Sequence, residues 1–112
     1  MTRSYEETIS RLEEKGLLNF PKYTSRGLEK ESLRVNKEGT ISTINHPAKL
    51  GSALTNQYIT TDFSEALLEL ITNKQNSIDA SLEQLEDVLS YVYLNCNEII
   101  WPSSVPLSLI HI

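Results

Sequence analysis

The stretch Arg26-Gly-Leu-Glu-Lys-Glu-Ser-Leu-Arg-Val-Asn36 decides how this chain folds. Read as an extended strand, it places successive side chains on opposite faces. One face then carries Glu29, Glu31, Leu33 and Val35. Two carboxylates about 6.5–7 Å apart would share that face with two aliphatic side chains. Carboxylates on a core-facing side are costly unless something compensates them, so the pattern indicates either a cation site or a surface hairpin with solvated glutamates.

A hairpin and an upstream helix are expected to frame this strand. The strand is predicted over residues 27–35, and a turn at residues 36–39 leads into a second strand over residues 40–44. Upstream, Ser4 is a suitable N-cap for a helix over residues 5–15. Three apolar residues of this helix recur at the spacing of one helical face, namely Tyr5, Ile9 and Leu12.

The run over residues 58–72 fits either a helix or a strand. As a helix, it leaves Glu65 and Glu69 in water, and its content of Ala, Leu and Glu favours this structure. As a strand over residues 66–72, it is apolar on both faces, which is typical of a central, buried strand. Glu69 would then need a cation, an arginine or a proton. Periodicity alone does not choose between the two.

A long helix over residues 77–97 carries an apolar stripe with the spacing 4, 3, 4, 3, 4, 3. Such a stripe is typical of a helix packed across a sheet, and also of a coiled-coil dimer. The second case gives an alternative function, a non-catalytic α/β module that binds a partner through this helix. The stripe consists of Ile78, Leu82, Leu85, Leu89, Val92, Cys96 and Ile99.

Length, charge and cysteine content exclude several classes of protein. The chain has 112 residues, enough for one domain or part of one, and its formal net charge is −5. Nucleic acids and anionic membranes require basic patches, so neither is an expected partner. Cys96 is the single cysteine, which excludes an internal disulfide and indicates a reducing, cytoplasmic location. No apolar run has the length of a signal peptide or of a membrane span.

Two segments together resemble a known enzyme family. They are the opening stretch at residues 26–36 and the run Leu50-Gly-Ser-Ala-Leu-Thr, continued by Ile59-Thr-Thr-Asp-Phe-Ser-Glu-Ala-Leu-Leu-Glu-Leu-Ile-Thr72. His46-Pro47 between them and Trp101-Pro-Ser-Ser-Val-Pro106 after them add to the match. With these motifs, the chain resembles the amino-terminal part of the proteobacterial glutamate–cysteine ligases over about residues 5–106.

This resemblance implies an α+β fold, the amino-terminal part of a glutamine-synthetase-like catalytic domain with antiparallel strands. It implies a reaction that joins the γ-carboxyl of L-glutamate to the amine of L-cysteine, with ATP as a substrate and an acyl phosphate as the intermediate, at the first step of glutathione biosynthesis. It also implies Mg²⁺ as the cofactor and a monomeric parent enzyme. Residues 1–106 would be a truncated part of one domain, without ligase activity of its own.

Matched motif by motif, the resemblance assigns metal-binding roles to four acids. Glu29 and Glu31 match the pair in Gly-Leu-Glu-x-Glu, Asp62 matches the acid of Thr-Thr-Asp-Phe, and Glu69 matches the acid of Ala-Leu-Leu-Glu. Phe63 stands where the family lines its cysteine pocket. Oxygen ligands of this kind suit Mg²⁺. The residues that bind adenine and glutamate are expected beyond the end of this chain.

Two basic residues of the opening strand are expected to have structural roles. By strand parity, Lys30 and Arg34 face away from Glu29 and Glu31. They are therefore predicted to form structural ion pairs and not to bind phosphate.

The last six residues, Leu107 to Ile112, look foreign to the rest of the chain. Leu-Ser-Leu-Ile-His-Ile is similar to a translation of the transposase end sequence used in sequencing adaptors. Residues 107–112 are therefore predicted to be a non-native tail. The alternative is a genuine apolar strand at the carboxyl terminus.

Overall fold

Four antiparallel strands and two helices make up the protein, for which the computed structural model describes residues 2–19 and 24–104. In chain order the elements are α1 (Tyr5–Glu14), β1 (Glu29–Val35), a 3₁₀ turn (Ala48–Leu50), β2 (Ile59–Asp62), β3 (Ser64–Ile71), α2 (Ile78–Asn95) and β4 (Ile99–Ile100). The strands form one sheet in the order β2-β3-β1-β4. The predicted α+β class is confirmed.

The pairing of β1 with β3 fixes the geometry of the sheet. Its register places Glu29 opposite Ile71 and Leu33 opposite Leu67. Thr72 and Leu28 continue this pairing. The Leu28 N–H donates to the Thr72 hydroxyl at 2.8 Å, and the Thr72 N–H donates to the Leu28 carbonyl at 3.0 Å. Residues 66–72 are therefore extended, so the strand interpretation is confirmed and the helical one is wrong.

The sheet carries a separate apolar cluster on each side of β3. The strand β3 is paired on both edges, with β2 and with β1, and apolar side chains pack against both of its faces, which outweighs its helical propensities. One cluster packs α2 against the sheet and consists of Leu50, Ile59, Leu68, Leu70, Val92, Cys96 and Ile100. The other consists of Leu33, Val35, Ala66 and Leu67, with Ile41 and Trp101 packed against it.

Both helices begin at capping residues that the sequence supplies. The Ser4 hydroxyl accepts a hydrogen bond from the Glu7 N–H, and the Glu7 carboxylate accepts one from the Ser4 N–H, which is a capping box. The Ser77 hydroxyl accepts from the Ala80 N–H in the same way at the start of α2. The predicted helices over residues 5–15 and 77–97 are thus confirmed to within two residues at each end.

The apolar stripe predicted along residues 77–97 packs against the sheet from Leu85 onward. Val92 and Cys96 are buried in the cluster under α2, whereas Ile78 and Leu82 are 62% and 52% exposed. Ile99 is not part of the helix, since it belongs to β4. In the first half of α2 the buried residue is Ser81, and not Leu82 of the predicted stripe.

One of the predicted strands needs correction, and two observed strands were missed. The second strand expected at residues 40–44 is wrong, since Val35 makes only an isolated bridge with Ile41 there. The carbonyl groups of Ile44 and Asn45 instead turn towards the Arg34 guanidinium. The strands β2 and β4 were not predicted. Residues 107–112 lie outside the described residues, so the predicted non-native tail stays a prediction.

Within residues 2–19 and 24–104, no helix is long and apolar enough to cross a membrane.

We predict that replacing Leu68 with alanine strongly destabilises the fold. Leu68 is fully buried between β3 and α2, and its truncation leaves a cavity that costs about 2–5 kcal/mol in the free energy of unfolding. Urea unfolding followed by circular dichroism measures this change. Leu54→Ala is the matched control, because Leu54 is 95% exposed, and its cost should stay within about 0.5 kcal/mol. Equal costs for the two variants would contradict the packing described.

Candidate metal centre

Strand register brings three of the four predicted acids together on one face of the sheet. Glu31 on β1 lies directly opposite Glu69 on β3, and Glu29 lies two residues further along β1 on the same face. On the other side of β3, Thr60 pairs with Glu69, and Asp62 stands at the end of β2, after an irregularity in the register. The Asp62 carboxylate is near enough to raise the pKa of Glu69. Residues directly opposite each other in an antiparallel pair have Cβ atoms about 4.5–5.5 Å apart. Acids on three neighbouring strands, β2, β3 and β1, therefore contribute.

Glu69 lies at the centre of this group, and the charges of the other three acids influence its pKa. Partial burial raises the pKa of the Glu69 carboxyl above its ordinary value, and the negative charges of Glu29, Asp62 and Glu31 raise this pKa further. The side chain of Glu29 is also close enough to share a hydrogen bond with Glu69 once one of the two carries a proton. The group therefore concentrates negative charge at one place on the sheet.

The four carboxylates are neighbours, but they are not closed around a common point. Among the residues that the structure describes, no three acidic, histidine or cysteine side chains converge with the geometry of a metal site. Like charges repel one another, and glutamate side chains are flexible enough to splay apart. The arrangement thus supplies oxygen ligands from four backbone positions on three strands, with side chains that still have to converge.

The turn between β2 and β3 presents Phe63 next to this acidic group. Asp62 pairs with Ser64 in the ladder, so that Phe63 stands alone at the turn. Phe63 has a φ of 55°, in the left-handed region that a bulky residue seldom adopts, and its side chain is 86% exposed. The Asp62 carboxylate accepts a hydrogen bond of 2.9 Å from the Phe63 N–H, which stabilises this conformation. Backbone strain of this kind is typical of functional sites.

The basic residues of β1 have the structural roles that strand parity predicted, with one correction. Arg34 is fully buried and forms an ion pair with Glu98. Lys30 bonds to neutral oxygens instead of an acid: it donates to the Ser32 hydroxyl at 3.0 Å and to the Pro102 carbonyl at 3.1 Å. Neither residue belongs to the acidic group.

The strand β2 is the part of the site that the sequence analysis missed. It places Asp62 one strand away from Glu69, on the far side of β3 from Glu29 and Glu31. The run Ile59-Thr60-Thr61 contains only β-branched residues, which favour strands, and this signal could have revealed it.

We predict that Glu69→Gln stabilises the chain at neutral pH. The folded state raises the Glu69 pKa, so this residue favours folding only when protonated, and that contribution is lost as the pH rises through the raised value. The melting temperature of the variant should therefore exceed that of the wild type at pH 7. The difference should shrink as the pH falls below the ordinary glutamate pKa of 4.5. Calorimetry over this pH range measures it.

Glu83→Gln is the control for this comparison, because Glu83 is exposed on α2. Its melting temperature should follow that of the wild type at every pH. A Glu69→Gln variant that is no more stable than the wild type at pH 7 would show that the acids do not repel one another in the folded state.

The chain is similar to curated glutamate–cysteine ligases from several bacteria. It is 51% identical to the glutamate–cysteine ligase of Bordetella parapertussis over 87 residues, which are 77% of this chain and 16% of that protein. It is 43% identical to that of Leptospira interrogans serogroup Icterohaemorrhagiae over 108 residues, which are 93% of this chain and 21% of the relative. The chain thus spans about a fifth of the length of the curated relatives it matches.

Two solved structures share the fold described above. The glutamate–cysteine ligase of Francisella tularensis, solved in complex with AMP, matches with a TM-score of 0.70 and 48% identity over 75% of this chain and 17% of that one. A bifunctional glutathione synthetase from Pasteurella multocida matches with a TM-score of 0.76 and 37% identity over 88% of this chain and 14% of that one.

A family model supports the same assignment. The model described as glutamate-cysteine ligase matches residues 9–111, which is most of the chain. The match includes the strands that carry all four acids. On this evidence, the chain belongs to the glutamate–cysteine ligase family.

Proposed function

We propose that this chain provides the cation-binding part of an ATP-dependent ligase that joins the γ-carboxyl of L-glutamate to the amine of L-cysteine. The observation that carries the proposal is the position of Glu69, which lies among Glu29, Glu31 and Asp62 in a chain that belongs to this family. Glu29, Glu31 and Glu69 share one face of the sheet, and the charge of Asp62 also acts on Glu69, so acids from three motifs lie close together.

The residues present fit Mg²⁺. All four side chains offer carboxylate oxygens, the ligands that this hard cation prefers. Partial burial and the charges of the neighbouring acids raise the pKa of Glu69, and a bound cation would offset both effects. We infer that Glu29, Glu31, Asp62 and Glu69 would hold the metal. When bound, Mg²⁺ would neutralise the charge that develops on the phosphates of ATP during phosphoryl transfer.

The reaction that we propose has two balanced steps. The γ-carboxylate of glutamate attacks the γ-phosphorus of ATP and releases ADP, which gives an acyl phosphate. The amine of cysteine then attacks the acyl carbon and releases phosphate, and a proton leaves the nitrogen. Both steps depend on holding two reactants in line, and the rigid β1–β3 pair is suited to that task because it fixes the backbone positions of three acids.

Phe63 is the residue that we propose beside the cysteine substrate. Its ring is exposed at a strained turn directly after Asp62, which leaves it free to contact a small side chain near the acids. This role follows the motif match and is supported by the position of the ring.

ATP as the nucleotide is supported by the Francisella tularensis ligase, which was solved with AMP. Because the chain spans 16–21% of its curated relatives, we place the adenine- and glutamate-binding residues outside it. We therefore propose that the 112-residue chain alone has no ligase activity. The unit formed by residues 1–106, a monomeric parent enzyme and a cytoplasmic location stay predictions.

A second candidate function is supported by the exposed half of the α2 stripe. Ile78 and Leu82 form an apolar surface that a partner helix or a second copy of the chain could cover. The buried second half of the stripe argues against a full coiled coil. A sedimentation coefficient that rises with protein concentration would favour this function, and a monomer at every concentration would count against it.

We predict that the four acids bind divalent cations in the chain as it stands. Free Mn²⁺ gives a strong electron paramagnetic resonance signal that is lost on binding, and added Mg²⁺ should restore it by competition. The wild-type chain should reduce the signal of free Mn²⁺. A variant in which all four acids are replaced by their amides should reduce it far less, because the ligands have lost their charge.

Glu83→Gln again serves as the control, since it removes one exposed charge outside the group. Its Mn²⁺ binding should equal that of the wild type. If the amide variant binds as much Mn²⁺ as the wild type, the acids are not the cation site and the proposed function loses its support.

A further inference from the structure

Arg34 is fully buried in β1, on the face of the strand opposite to Glu29 and Glu31. One of its terminal nitrogens, Nη1, donates to the Glu98 carboxylate just before β4 and to the Ser42 hydroxyl at 3.4 Å. The same nitrogen lies 3.4 Å from the Asn45 carbonyl oxygen. Nη1 therefore links β1 to the loop that follows it and to Glu98, just before β4.

The other terminal nitrogen, Nη2, contacts a different part of the fold. It donates to the Ile44 carbonyl at 3.0 Å and to the Glu65 carbonyl at 3.1 Å. Glu65 is the second residue of β3. Both terminal nitrogens of Arg34 thus bond to the loop after β1, but only Nη2 reaches the start of β3.

The start of β3 extends past the regular pairing with β1. The β1–β3 register ends at Leu33 opposite Leu67, so the first three residues of β3 have no ladder partner on β1. The hydrogen bond from Arg34 to the Glu65 carbonyl replaces that ladder with a side-chain contact. The Glu65 carboxylate is fixed as well, because it accepts a hydrogen bond of 2.9 Å from the His46 N–H.

The start of β3 directly follows the turn between β2 and β3, where Phe63 stands beside the acidic group. Glu65 is only two residues from Phe63, whose φ of 55° requires a backbone that is held firmly, and three residues from Asp62. His46 does not add a second positive charge beside Arg34 at neutral pH, because burial and the guanidinium lower the pKa of its ring. The guanidinium therefore remains the main cation at this junction.

We propose that Arg34 is a positioning residue for Asp62 and Phe63: its Nη2 holds the start of β3, and thereby the strained turn that presents both side chains to the acidic group. The inference rests on the proposed function, because it assigns a task to a residue that touches neither metal nor substrate. Arginine is required, since a lysine has a single terminal nitrogen and could not serve the Glu98 side and the Glu65 side together.

Two conservative variants separate this role from general stability. Arg34→Lys keeps the charge, and its single nitrogen should stay with the Glu98 carboxylate, so the contact with Glu65 is lost. Glu98→Gln weakens the buried ion pair but leaves both Nη2 contacts in place, which makes it the matched control. Amide ¹⁵N relaxation of Phe63 and Ser64 measures the order of the turn without any metal.

We expect the Phe63 and Ser64 amides of the wild type and of Glu98→Gln to have order parameters near the rigid value of about 0.85, and those of Arg34→Lys to fall below about 0.6. Mn²⁺ should bind Arg34→Lys severalfold more weakly than Glu98→Gln. A rigid turn in Arg34→Lys would overturn the proposal. A mobile turn in that variant, with no Mn²⁺ binding by the wild type, would support the role of Arg34 and refute the cation site.

A measurement on the wild type covers the case in which Arg34→Lys does not fold. In native-state hydrogen exchange, the Glu65 amide and the guanidinium protons of Arg34 should become exposed in the same opening event, with the same dependence on denaturant. Exchange at Glu65 that occurs while the guanidinium protons stay protected would contradict the proposal.

Discussion

The register of β1 against β3 is the constraint on which the rest of the structure depends. It places Glu31 opposite Glu69, two like charges on directly paired residues, which is unfavourable in a sheet. A shift of one residue would remove this contact, but it would also turn Leu33 and its neighbours out of their cluster. The apolar clusters therefore impose the acidic contact. Partial burial raises the pKa of Glu69, and the charges of Glu29, Asp62 and Glu31 raise it further.

The same strands carry an apolar cluster at one end and the acidic group at the other. Leu33 and Leu67 pack together, and two residues away Glu31 and Glu69 form the centre of the acidic group. This continuity gives Glu29, Glu31 and Glu69 a rigid support, because their backbones belong to the regular β1–β3 ladder. It also explains why acids can stand beside a core: they are placed where the apolar cluster ends.

Much of the fold could be predicted from the sequence, and the family resemblance supplied the four acids of the candidate site. The alternation of side chains along β1 correctly predicted the face that carries Glu29 and Glu31. The capping residues Ser4 and Ser77 correctly predicted where both helices begin. The choice between helix and strand for β3 could not be made from periodicity. It depends on β1 and β2 covering the strand from both sides, which is a tertiary effect that a local pattern does not contain.

The errors have a common cause in contacts between distant residues. The segment at residues 40–44 has the composition of a strand, but it pairs with β1 only at an isolated bridge, and its Ile44 carbonyl accepts a hydrogen bond from the buried Arg34. Strand parity correctly predicted that Arg34 faces away from the acids. It could not show that the guanidinium bonds to three separate segments. Hydrogen bonds of a single buried side chain leave no periodic trace in the sequence.

The proposed function depends on Glu29, Glu31, Asp62 and Glu69 being ligands of one cation site. Crystals of the chain soaked in Mn²⁺ and measured at the manganese absorption edge provide the sharpest test. We expect an anomalous density peak within about 2.0–2.3 Å of oxygens from at least two of these carboxylates, removed by excess Mg²⁺. Mn²⁺ bound only at other carboxylates, with none at this face of the sheet, would contradict it.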